Sequence, residues 1–198
     1  MVDWTEQLAW LPVGAPDNCY PFEILDCRAA CTALTLSQIN VTGSEAVEAI
    51  EQAARSMPST LTPAAGLSTS CSISVATVPD HTPLRVTSTP EHGHRWLVKI
   101  SGQTILAHRR STGQLVHVAE FETRDSGLMI RRLTSGKQFV YGSPEYAIAE
   151  MAFLTGTYLE GIRRPFPIPP GHKRSETSKI ALGGWKAHGV VAEFARFL

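Results

Sequence analysis

The chain has 198 residues, 43% hydrophobic and 18% charged, enough apolar material for one sizeable core. Its 18 Lys+Arg balance 18 Asp+Glu, which removes any global electrostatic reason to expect nucleic acid or an anionic membrane surface as partner. No apolar run approaches the roughly 20 residues of a membrane-crossing helix, the start lacks the basic and apolar regions of a secretory leader, and four irregularly spaced cysteines (Cys19, Cys27, Cys31, Cys71) predict reduced thiols in a cytoplasmic protein.

Trp4, Leu8 and Leu11 recur at helical spacing before Pro12, so a short amphipathic helix is expected there, followed by a connector over residues 11–18. Phe22, Ile24 and Leu25 favour a strand, while the Ala-rich part from Cys27 to Leu34 suits a helix, and periodicity does not decide between them. Thr42-Gly-Ser-Glu45 has capping-box spacing ahead of Val47, Ile50, Ala54 and Met57, which predicts a helix ended by Pro58. Residues 56–70 are Ser/Thr/Pro/Ala-rich and read as a loop; 72–78 and 84–88 read as strands with prolines at their ends.

Ser101-Gly102, Thr112-Gly113, Ser126-Gly127 and Ser135-Gly136 separate five alternating or apolar runs, 95–100, 103–110, 114–123, 128–133 and 137–141. Short loops between such runs predict an antiparallel meander. Two-residue turns at the first two sites would set Ile100 opposite Gln103 and Ser111 opposite Gln114. Trp96, Val98, Ile105, Ala107, Val116 and Val118 then share one face; Leu97, Lys99, Leu106, His108, His117 and Ala119 share the other, with His108 facing His117.

A helix follows. Ser143 is placed to cap it, Pro144 takes the first helical position, Glu145 sits at the positive end of the dipole, and Gly161 ends it. Ala147, Met151, Leu154 and Tyr158 form the core of its apolar stripe. Arg163-Arg-Pro-Phe-Pro-Ile-Pro-Pro170 must be extended. Ala187, Val191, Phe194 and Leu198 predict a last helix over 185–198, with Gly183-Gly184 marking its start or a break.

The element order predicts an α+β fold: an antiparallel β-meander of about five to seven strands with helices packed on one face. Residues 1–161 are expected to form the core domain, with 162–198 as a proline-rich strap and C-terminal helix on the same domain.

No catalytic motif stands out. Asp80, His81, His92 and His94 could assemble a metal site, since His-Gly-His can aim two imidazoles at one ion, although a lone pair of this spacing is common in polar loops. Two facing imidazoles at His108 and His117 could share a proton or a metal, or sit unused on the sheet's polar margin. Cys27 and Cys31 have only Ala, Thr and Leu beside them and read as structural thiols. No glycine pattern fits a phosphate cradle.

The most extensive feature is basic: Arg109, Arg110, Arg131 and Arg132 project from the meander and suit an acidic protein surface, or are solvated and paired with Glu120 and Glu122. Phe166 and Ile168 within the proline-rich segment could anchor in a partner's groove or strap the domain itself. These features together predict a non-enzymatic protein-binding module of adaptor, chaperone or inhibitor type, with no cofactor; its partner is another protein with an acidic surface, nucleic acid being disfavoured by the neutral net charge and the lack of an aromatic series along the basic stripe. Two alternatives remain. One is a small apolar-ligand binder with a pocket between sheet and helix lined by Trp96, Ile105, Met151 and Tyr158; the other is a metal-dependent hydrolase built on the clustered histidines.

Overall fold

The computed structural model describes residues 3–39, 63, 66–76, 94–110, 112–125 and 127–198. In chain order the elements are a 3-10 turn at Trp4–Gln7, β1 (Ala9–Leu11), β2 (Ile24–Asp26), α1 (Arg28–Ile39), β3 (Gly66–Val75), β4 (Trp96–Ser101), β5 (Thr104–Arg109), β6 (Leu115–Arg124), β7 (Gly127–Gly136), α2 (Pro144–Tyr158), β8 (Phe166–Pro167), α3 (Thr177–His188) and β9 (Phe194–Arg196). This is an α+β protein with a five-stranded antiparallel sheet and a second, four-stranded one. The chain divides into two compact units: Met1–Thr42 with His92–Arg95 and Arg164–Leu198, and Gly43–Glu91 with Trp96–Arg163. β9 pairs with β2, which draws the last segment into one sheet with the first.

In the first unit the strand order is β1-β2-β9-β8, antiparallel except for the parallel pair β8–β9. Only the 3-10 turn remains of the helix expected at the start: Asp3 accepts from the Thr5 N–H at 3.0 Å, and the chain straightens into β1 from Ala9. Both readings of residues 20–36 hold in succession, a strand at 24–26 and a helix from Arg28, with the Asp26 carboxylate accepting the Arg28 N–H at 3.0 Å where the helix begins. The expected helix over 185–198 is displaced. α3 runs from Thr177 with Gly183-Gly184 in its middle, because a Cβ at Gly184 would stand 2.1 Å from Cζ of Phe166, so only glycine lets the helix lie against that ring. Gly189, at φ +74°, follows the helix, and residues 194–196 form a strand.

In the second unit the order is β3-β7-β6-β5-β4, so β3 extends the meander as expected, although it starts at Gly66 inside the segment read as a loop. Gly102, at φ +57°, occupies the first of the two turn positions between Ser101 and Thr104, as a type II′ hairpin requires. Ile100 therefore faces Ile105, two places from the expected partner, and the faces of β4 and β5 stay as read. The next connection is longer, running from Arg110 to Gln114, and a bulge falls between Ala107 and His108. A one-residue slip turns β6 over. Ala107 now faces His117, and His108 faces Leu115, so the two histidines are not partners.

The last expected strand, 137–141, is a turn, and Ser135-Gly136 belongs to β7, where Gly136 pairs with Gly66. α2 behaves as its signals predict: the Ser143 hydroxyl accepts the Tyr146 N–H at 3.1 Å, Pro144 opens the helix, and Gly161 at φ +68° turns the chain beyond it. It packs against β3, β4 and β7. Its buried surface is wider than the expected stripe, taking in Tyr146, Glu150 and Phe153 besides Ala147, Met151 and Leu154. The helix expected after Thr42 and the strand at 84–88 lie outside the described residues.

Candidate functional site

The pairings Trp96↔Arg109, Val98↔Ala107↔His117↔Ser135 and Ile100↔Ile105↔Ala119↔Leu133 put these residues on one face of the sheet. Most of that face is apolar and buried. In its midst His117 and Ser135 are wholly inaccessible and Glu150 of α2 is 1% exposed. The three are joined: the Ser135 hydroxyl lies 2.7 Å from Nδ1 of His117, and Oε2 of Glu150 lies 3.1 Å from Nε2. With the carboxylate accepting from Nε2–H, Nδ1 is the acceptor for the Ser135 O–H, a tautomer fixed by its neighbours.

Trp96 stacks on the imidazole with centroids 5.7 Å apart, and the Arg109 guanidinium lies 4.0 Å above Trp96. Tyr146 is buried one helical turn before Glu150, and desolvation first, then the negative charge of Glu150, push its phenol far above the ordinary tyrosine value, which keeps it a neutral donor. Tyr141 meets Tyr146 edge to face at 5.1 Å, is 57% exposed, and holds φ +54°, the one positive φ of a described non-glycine residue. The cluster thus runs from Ser135 in the core to Tyr141 at the surface.

The first unit carries a different constellation. On one face of its sheet, Phe194 meets Tyr20 edge-on at 6.1 Å and Tyr20 stacks on Phe22 at 5.7 Å. Two guanidinium groups cover these rings, Arg28 at 5.3 Å from Phe194 and Arg196 at 4.6 Å from Phe22. Arg28 stays partly exposed while Asp26 holds it at 2.6 Å. A second set lies at β1, where Trp10 stacks on the exposed ring of Phe197 at 5.4 Å under Arg174, itself paired with Glu23.

Of the residues expected to bind a partner, Arg131 and Arg132 are exposed and already paired, Arg131 with Glu122 at 2.6 Å and Arg132 with Glu120 at 3.7 Å. Arg109 covers Trp96, and Arg110 is half-buried in the turn after β5. Phe166 and Ile168 are 1% and 3% exposed, so they strap their own unit and present no anchor to a partner. Trp96, Ile105 and Met151 are buried in the sheet–helix core, and Tyr158 is half-buried at the end of α2. His81 and His92 lie outside the described residues; His94 bridges to Gly189, and among the described residues no three His, Cys, Asp or Glu side chains converge on a possible metal.

His108 is buried, with Nδ1 3.2 Å from the Gly113 carbonyl and no partner for Nε2 among the described residues; burial lowers its pKa. Burial likewise pushes the Cys31 thiol up to about 12 and Cys27 higher still, so neither offers a thiolate. Sequence reasoning missed Ser135 and Glu150. Ser135 was hidden by a plausible Ser-Gly turn, whereas Glu150 left a signal, a lone carboxylate between Ala149 and Met151 in a helix otherwise apolar on that side. Comparison of the chain with protein-family models, with curated proteins and with solved structures finds no match.

Proposed function

We propose that the chain is a protein-binding module, of adaptor or inhibitor type, whose contact surface is the aromatic–guanidinium face of the first unit. The observation that carries this reading is the half-buried stacked pair Tyr20–Phe22 with Arg196 on the Phe22 ring, backed by the buried ring of Phe194 with Arg28 beside it. Aromatic and arginine side chains are the types that concentrate binding energy at interfaces, and stacking immobilises these before any partner arrives. Arg196 above the Phe22 ring favours an acidic partner, whereas Arg28 is already paired with Asp26. The basic stripe of the second unit contributes less, since Glu120 and Glu122 already neutralise Arg131 and Arg132.

Native mass spectrometry of complexes captured from host lysate tests the proposal. The wild-type chain is expected to retain a stoichiometric protein companion that is lost on Arg28→Gln with Arg196→Gln, circular dichroism remaining unchanged. A companion retained equally by the variant would move the surface elsewhere, and a chain that captures no companion would remove the binding reading.

A further inference from the structure

We propose that Ser135, His117 and Glu150 form a nucleophile, general base and orienting carboxylate for acyl transfer from a small neutral ester to water, an activity independent of the binding surface. The argument is geometric. Hydroxyl, imidazole and carboxylate stand in series at 2.7 and 3.1 Å, within the reach that proton transfer requires. The serine sits on Nδ1 and the carboxylate on Nε2, which serves equally well, because each ring nitrogen carries one in-plane proton or lone pair. Burying all three polar groups is costly in a core that apolar residues could fill, and Trp96 against the imidazole fixes the ring plane.

The step balances as follows. Ser135 Oγ bonds to the ester carbonyl carbon while its proton passes to Nδ1 of His117. Glu150 stabilises the imidazolium through Nε2–H. Collapse breaks the bond between carbonyl carbon and alkoxy oxygen, and the leaving alcohol takes the proton from Nδ1. A water molecule, deprotonated by His117, then cleaves the acyl-serine and returns the proton to Oγ.

Since Ser135 and His117 are inaccessible, the substrate must enter where the cluster meets solvent, past Tyr141 in the turn between β7 and α2.

The test uses the full chain, a small alkyl fluorophosphonate, and mass spectrometry with peptide mapping. One adduct is expected, on Ser135. His117→Gln should slow its formation roughly 100-fold, and Tyr141→Ala should speed it by opening the approach. The mapped wild-type adduct decides the matter even if a Ser135→Ala chain fails to fold. The proposal is overturned if no adduct forms on Ser135 in either the wild type or folded Tyr141→Ala, or if labelling is indifferent to His117→Gln.

Discussion

The two units bury polar groups in different ways. The second joins His117, Ser135 and Glu150 into one network in its core, leaves Nε2 of the buried His108 without a partner among the described residues, and keeps its ion pairs Arg131–Glu122 and Arg132–Glu120 on the outer surface. The first sets the guanidinium groups of Arg28 and Arg196 over aromatic rings and buries its polar side chains singly among Ile24, Leu25 and Ala195, Asn18 donating to backbone carbonyls and His188 lying against the Phe166 ring. Strand length matches this contrast. Ten-residue strands such as β6 and β7 form a ladder that holds buried polar side chains in register, whereas strands of two or three residues depend on apolar packing and glycine-permitted close approach.

Breaking the buried network should give the largest effect. Glu150→Ala leaves the buried Nε2–H of His117 without its acceptor and opens a cavity beside it, and is expected to cost about 4 kcal/mol, read by urea unfolding, with hydrogen exchange in β5, β6 and β7 accelerating first. Glu150→Gln keeps an acceptor in place and should cost distinctly less. Equal losses from both would mean that the network holds nothing by hydrogen bonding.

The close approaches come next. At Gly127, with φ +133°, a Cβ would stand 2.1 Å from the Val75 carbonyl oxygen, while at Gly184 it would meet the Phe166 ring. Gly127→Ala combines a backbone clash with a disfavoured φ and should cost about 3 kcal/mol; Gly184→Ala faces a side chain that can shift and should cost about 2 kcal/mol. Thermal melts compare the two, and the reverse order would show that the first unit is the more rigidly packed.

A pH effect follows from His108. Burial lowers its pKa below the ordinary 6.5, so the unfolded chain binds this proton more readily than the folded one. The stability it contributes is full above pH 6.5 and is lost as pH falls through the folded value. His108→Leu should cost about 1 kcal/mol at pH 8 and flatten the decline below pH 6.5 in urea titrations. A decline unaltered by the substitution would assign it to other groups. The smallest effect is expected at the surface, where Glu122→Gln removes the negative charge shared by Arg124 and Arg131, keeps an oxygen acceptor, and should leave the melting temperature unchanged.

How much of this was legible depends on the range of the signal. Ser143-Pro-Glu announces α2 because a cap is a contact between residues three apart, and alternation announces β4 to β6 because a strand's two faces follow from its own backbone. Gly102, Gly113 and Gly127 located three hairpins, while Gly136 lies within β7. They did not fix the phase, since the length of the connection between β5 and β6 and one bulge decide which face His117 occupies.

The sequence by itself therefore determined the α+β class, the meander, and the start of the helix laid against it. Tertiary structure alone decided that residues 194–196 pair with 24–26, that Gly184 sits within a helix against Phe166, and that Ser135, His117 and Glu150 meet. The reason is separation along the chain. Each of those contacts joins segments whose local propensities are silent about one another, and it forms only when the burial of apolar surface brings two distant elements to a common core.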